Sequence, residues 1–138
     1  MKLKILHESQ KYKVASVMDG DECETETFLN DLDSKYHASA AGLIRLIEQI
    51  TESGLDGLST KQFHLVDAEN KIYELIKGDI RLLCFKGHAN LLIVTTHAFI
   101  KKTQKTPEND KNKAIRHKKM YQQAHDQKQI ILVRDPEE

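Results

Sequence analysis

The sequence predicts an α+β domain, built on a small, twisted antiparallel sheet with an N-terminal helical hairpin and a C-terminal helix. Three observations carry this. Residues 12–18 form a β-type run, and two segments with apolar residues at helical spacing follow it. From 63 to 96 the pattern changes to short leucine-rich and β-branched runs separated by glycine turns. From 107 onward a lysine-rich segment carries one narrow apolar stripe.

In the run 12–18, Tyr12, Val14 and Ser16 fall on one side and Lys13, Ala15 and Val17 on the other, as a first strand requires. After the Asp19-Gly20-Asp21 turn, Asp21 and Glu24 have the spacing of a capping box. Phe28, Leu29, Leu32 and Tyr36 then recur as on a helix ending near Lys35. A second helix presents Leu43, Ile44, Leu46, Ile47 and Ile50 as a wide stripe, with Ser39 as its cap and Gly54 at its C-terminal end. Short strands are expected at 63–66, 71–77, 80–85 and 91–96, the last three joined by tight turns at Gly78-Asp79 and Lys86-Gly87-His88. Alternation puts Arg81 on one face with Leu83 and Phe85, and Ile80, Leu82 and Cys84 on the other. Thr106, Pro107 and Glu108 read as a helix start, with the threonine as cap and the helix running to Ala124 along Ala114, His117, Tyr121 and Ala124. Residues 130–133 suit an added edge strand before a frayed acidic tail, so that 1–138 forms a single domain.

Composition narrows the function. Cys23 and Cys84 make no pair with metal-ligand spacing, so neither a disulfide framework nor a zinc site is expected, and a reducing cytoplasm suits them. Residues 1–6 alternate lysine with apolar residues and are too short for a signal segment, and no apolar run reaches membrane-spanning length. The formal net charge of +0 hides polarity. Residues 19–34 hold seven acids and no base, whereas 77–128 hold twelve Lys or Arg against four Asp or Glu, a local net of +8. That basic half suits a polyanion, unless the two halves fold together and cancel. Its densest part is 97–108, where Lys101, Lys102 and Lys105 stand beside Thr103, Thr106 and Gln104, a set suited to phosphate.

Taken together, Ile72-Tyr73-Glu74-Leu75, Arg81 in the following strand, and His97-Ala98-Phe99-Ile100-Lys101-Lys102-Thr103-Gln104-Lys105-Thr106-Pro107 resemble the HigB-like, phage-derived toxins of the RelE/ParE superfamily. Members read Trp or Tyr, Glu, Leu, Arg in one strand, an arginine followed by apolar residues in the next, and a near-identical Phe-Lys-Lys-Thr-Gln-Lys-Thr-Pro segment. The likeness covers roughly 63–121. It implies a RelE-like fold and a cytoplasmic toxin of a type II toxin–antitoxin pair. Such a toxin cleaves messenger RNA, usually on the ribosome, and is neutralised by a helix-turn-helix antitoxin. Two departures stand out: Ile76 replaces the usual arginine after Glu-Leu, and the acidic stretch is unusual among these basic proteins.

Metal-independent RNA cleavage needs a base for the 2′-hydroxyl, positive charge at the phosphorane oxygens and a proton for the leaving 5′-oxygen, with no cofactor. Arg81 is the expected charge stabiliser, because a guanidinium is planar and keeps its proton. Glu74 is either the base or a partner of Arg81, and His97 is either an acid–base group or a packing residue at a strand end. Crowding by like charge suits Lys102 for proton exchange, while Lys101, Lys105, Thr103, Gln104 and Lys77 are expected to bind RNA. The other histidines, His64 among them, show no ligand spacing and receive no role. Two other classes remain: a module that occupies RNA or the ribosome without cleaving, and a gyrase-directed toxin of the ParE kind.

Overall fold

The computed structural model describes residues 1–135. Its strands are β1 (Lys2–Glu8), β2 (Lys13–Asp19), β3 (Glu22–Cys23), β4 (Phe63–Asp67), β5 (Ile72–Lys77), β6 (Ile80–Lys86), β7 (Leu91–Ile100) and β8 (Ile131–Val133). Its helices are α1 (Glu24–Asn30), α2 (His37–Ser53) and α3 (Glu108–Asp126). The α+β class is as the sequence predicts. One sheet runs β4-β5-β6-β7-β2-β1-β8, with β3 pairing β2 off that path.

The hairpin region is antiparallel from β4 to β7, and β1 pairs β2 antiparallel. Two joins are parallel: β2 with β7, and β1 with β8. They depart from the expected antiparallel sheet because each joins strands far apart in the chain, where no hairpin fixes direction, and β1, ahead of the expected first strand, extends the sheet beyond β2. Leu3 and Ile5 are buried while Lys2 and Lys4 turn out to acids. Edge strand β8 forms as expected, and Arg134 and Asp135 just beyond it pair with Glu8 and Lys4. The expected frayed tail thus begins with two ion-paired residues instead, and its remainder, 136–138, lies outside the described residues.

Both faces of the sheet are covered, so every residue of β6 except Lys86 is buried. On one face Leu43, Leu46, Ile47 and Ile50 of α2 pack against Val14, Leu75, Ile80, Leu82, Cys84 and Ile93, with Phe28, Leu29 and Leu32 alongside. On the other, Ala114 and Tyr121 of α3 pack with Leu3, Ala15, Val17, Ile72, Leu83, Phe85 and Val94. Arg81 lies on the α3 face, as alternation requires.

Three cap assignments change. Residues 22–23 join β3, so α1 begins at Glu24 behind Cys23 with no side-chain cap, and Asp21 instead meets Lys2. Helix α1 stops at Asn30, and a single 3-10 turn at Ser34–Tyr36 leads straight into α2, which places Ser39 inside the first turn rather than before it. Gly54 does close α2, with φ of 79°. Pro107, not Thr106, caps α3, because the threonine hydroxyl is engaged elsewhere. The expected turn at Gly78 forms with φ of 56°, its α-carbon facing the Ser39 hydroxyl so closely that a methyl group has no room.

Candidate functional site

The β5–β6 hairpin sets the site. Its register pairs Ile76 with Arg81, and the β4–β5 register places His64 directly opposite Glu74. These side chains share the α3 face because period-two alternation carries both strands' outward residues there. β7 runs on to Ile100, and the Lys101 amide donates to Asp79 O at 2.7 Å, folding the basic segment back over the end of the sheet. The Thr103 hydroxyl donates to Lys105 O at 2.9 Å and tightens that segment's turn. The result is a cleft of about 150 Å³ with His64, Glu74, Ile76, Arg81 and Phe99 from the strands, and Lys101, Thr103, Gln104, Lys105 and Thr106 from the returning segment.

Arg81 is 8 % exposed and firmly held. Its Nη1 donates to Gly78 O at 2.8 Å and Ile80 O at 3.1 Å, and its Nε stands 3.6 Å from Glu74 Oε1. Half of the fork is therefore spent on the hairpin itself. Nη2 has no protein partner among the described residues and is the nitrogen left for an anion in the cleft. Glu74, 5 % exposed, is a hub: Oε1 also meets His64 Nε2 at 3.2 Å, and Oε2 accepts from the Thr106 hydroxyl at 3.3 Å. A buried carboxylate needs such partners.

His64 is the residue that sequence reasoning missed. Its Nδ1 stands 3.2 Å from Thr60 O and its Nε2 3.2 Å from the Glu74 carboxylate, so each ring nitrogen faces an acceptor. It is more than one-third exposed where it lines the cleft. No sequence motif marks it. The only available signal was the β4–β5 pairing, which sets residue 64 against residue 74. Thr106 was read as a cap and proves to be a partner of the central carboxylate.

Six of the nine residues expected at the site line this cleft: Glu74, Arg81, Lys101, Thr103, Gln104 and Lys105. Lys102 is exposed and outside the lining. Lys77 projects from the opposite face, its stem lying across Gly42 of α2, because it alternates with Ile76. His97 is not at a strand end. A bulge in β7, where the register shifts between Leu82 and Cys84 of β6, turns it toward α3. There it is 3 % exposed, with Nε2 donating to Asp110 at 2.9 Å and Nδ1 2.7 Å from the Thr96 hydroxyl. Burial holds its pKa below the usual histidine range, against the opposing pull of Asp110. It ties a helix to a strand, apart from the cleft.

Residues 27–119 of the 138 match the family described as phage derived protein Gp49-like (DUF891), and they span β4 to β7 together with the basic segment and most of α3. The chain belongs to the Gp49-like family. The whole cleft of this Gp49-like protein, from His64 to Thr106, lies inside the matched region. The family is toxin-like and of the RelE kind, which is the coarser part of the resemblance read from the sequence. No curated protein matches the chain. Among the described residues of this Gp49-like chain, no cluster of three or more His, Cys, Asp or Glu is arranged to hold a metal, and no helix is long and apolar enough to cross a membrane.

Proposed function

We propose that this Gp49-like protein is the toxin of a type II toxin–antitoxin pair, of the HigB-like kind, acting in the cytoplasm as a metal-independent endonuclease on messenger RNA at the ribosome. One observation carries the reading: Glu74, His64 and Arg81 meet in one cleft whose other wall is the Lys101–Lys105 segment. A phosphodiester there would face Arg81 Nη2 and the ammonium groups of Lys101 and Lys105, which stabilise the charge that grows on the phosphorane oxygens. Glu74 takes the proton of the attacking 2′-hydroxyl. His64 gives a proton to the departing 5′-oxygen, the role first sought in His97. Lys102, on the outer side of the segment, is left with phosphate binding rather than proton exchange.

In vitro translation with and without the protein, followed by primer extension on the message, tests this directly. Discrete new 5′ ends within the reading frame are expected, and an intact message at full translation would overturn it. The partner that neutralises the toxin is expected to be a small helix-turn-helix protein. Co-expression that neither restores growth nor co-purifies would remove that part.

Ile76 favours a second reading. It lines the cleft where relatives of the HigB-like kind carry an arginine, so the site has one cation fewer. A protein that occupies RNA or the ribosome without cutting it would arrest translation with the message intact, and the same primer-extension experiment separates the two.

A further inference from the structure

We propose that Arg45, Lys61 and Lys77 form a second phosphate-binding site, which holds the backbone of a single-stranded RNA where it continues out of the first cleft. This rests on the RNA-directed reading above and extends it to residues outside the cleft.

The second site is a cleft of about 490 Å³ on the α2 side of the β5–β6 hairpin. Its three cations come from three elements: Arg45 from α2, Lys61 from the loop entering β4, and Lys77 from the end of β5. No carboxylate lines it. Among the described residues none of the three cations is in an ion pair, whereas Lys2, Lys4, Lys113 and Arg134 all are. Cations brought together with no anion repel one another, so the arrangement is stabilised when an anion arrives.

The placement is built rather than incidental. Lys77 crosses α2 at Gly42, and a β-carbon there would sit 3.1 Å from Lys77 Cγ and Cδ and closer still to Cε. Glycine leaves that path open, where a larger residue would make the lysine stem shift. The Ile76 amide donates to Gln62 O at 2.9 Å, which fixes the loop carrying Lys61 to β5. Gly42, Arg45 and Gln49 follow each other along one face of α2, all facing this cleft. Ile76 lines both clefts, which open on opposite faces of the sheet at the β5–β6 hairpin. That placement selects the ligand: cation clusters on either side of one residue suit a polymer with repeated phosphates better than a lone anion.

The test is a binding titration at several salt concentrations with 2′-O-methyl RNA, which cannot be cut. One oligonucleotide is just long enough for the first cleft, and the other is several nucleotides longer. The Arg45→Gln, Lys61→Ala double variant should bind the long oligonucleotide more weakly and with a salt slope reduced by about 1.4, roughly 0.7 for each lost phosphate contact. On the short one it should match the wild type. Lys105→Ala, in the first cleft, should weaken both. Gly42→Leu keeps every charge but evicts the Lys77 stem, and should reproduce the long-oligonucleotide defect of Lys77→Ala while thermal unfolding shows a folded protein. A double variant that binds both lengths like a competent wild type overturns the second site alone. Equal weakening on both lengths overturns it too. Wild-type protein that binds neither length overturns this site together with the reading it rests on.

Discussion

Arg81 shows how a buried charge is prepared for one contact. Two carbonyls of its own hairpin hold Nη1 and a carboxylate faces Nε, so Nη2 is presented with little freedom left to lose. Arg81→Ala should therefore lower single-turnover cleavage on programmed ribosomes by about 10² to 10³, or roughly 3–4 kcal/mol, and lower binding far less. Arg81→Lys should also fail, since one ammonium cannot hold the hairpin carbonyls and reach the cleft together. Thermal unfolding of both variants separates this from a folding defect. His64→Ala should lower the same rate by about 10² or more with RNA binding retained, because a positioned proton donor acts in the transition state. Wild-type cleavage by His64→Ala would end its assignment. Ile76→Arg should steepen the salt dependence of binding by about 0.7, the share of one added phosphate contact.

Helix α3 is held by few contacts, and these set how the protein responds to acid. Tyr121 fills the space against Phe85, and its hydroxyl accepts from the His88 amide at 3.2 Å. Tyr121→Phe should cost about 1 kcal/mol in urea unfolding, and Tyr121→Ala about 3–5 kcal/mol. His97, bonded to Asp110, should behave as a structural residue: His97→Ala loses about 1–3 kcal/mol of stability, yet cleaves normally where it is folded. His117 lies edge-on to His97, and its Nδ1 is buried with no protein partner among the described residues. Desolvation, helped by His97 and Lys113, lowers its pKa from 6.5 to about 4. Between those values the unfolded chain binds the extra proton, so stability falls as the pH drops from 6.5 toward 4. Allowing for solvent screening of a ring only partly buried, the loss is on the order of 1–2 kcal/mol. His117→Gln should flatten that part of the stability profile.

At the scale of the molecule, neutral charge conceals a division of labour. Three of the seven acids of 19–34 are paired: Lys2 meets Asp21, Lys4 meets Glu26 and Lys113 meets Glu24. The cations of the two clefts, Lys101, Lys105, Arg45, Lys61 and Lys77, have no such partners among the described residues. The charges thus sum to zero over the chain while these five cations stay without acidic partners among the described residues. RNA binding should accordingly weaken steeply with salt despite the zero net charge. Lys101→Ala or Lys105→Ala should each lower the slope by about 0.7, while Lys113→Ala, removed from an exposed ion pair, should leave it unchanged and cost at most about 1 kcal/mol of stability.

The sequence by itself determined what depends on neighbours along the chain. Alternation placed Arg81 on the face of Leu83 and Phe85, glycine turns marked the hairpins, and helical spacing drew the stripes of α2 and α3. Strand β1 is not among these: the expected first strand is 12–18, and 2–8 proves to precede it. Tertiary structure decided what depends on register across strands. Pairing β4 with β5 set His64 against Glu74, and a bulge in β7 turned His97 away from the cleft. The physical reason is the two-residue period of a strand: a shift of a single residue exchanges its faces, and only the partner strand fixes where that shift falls.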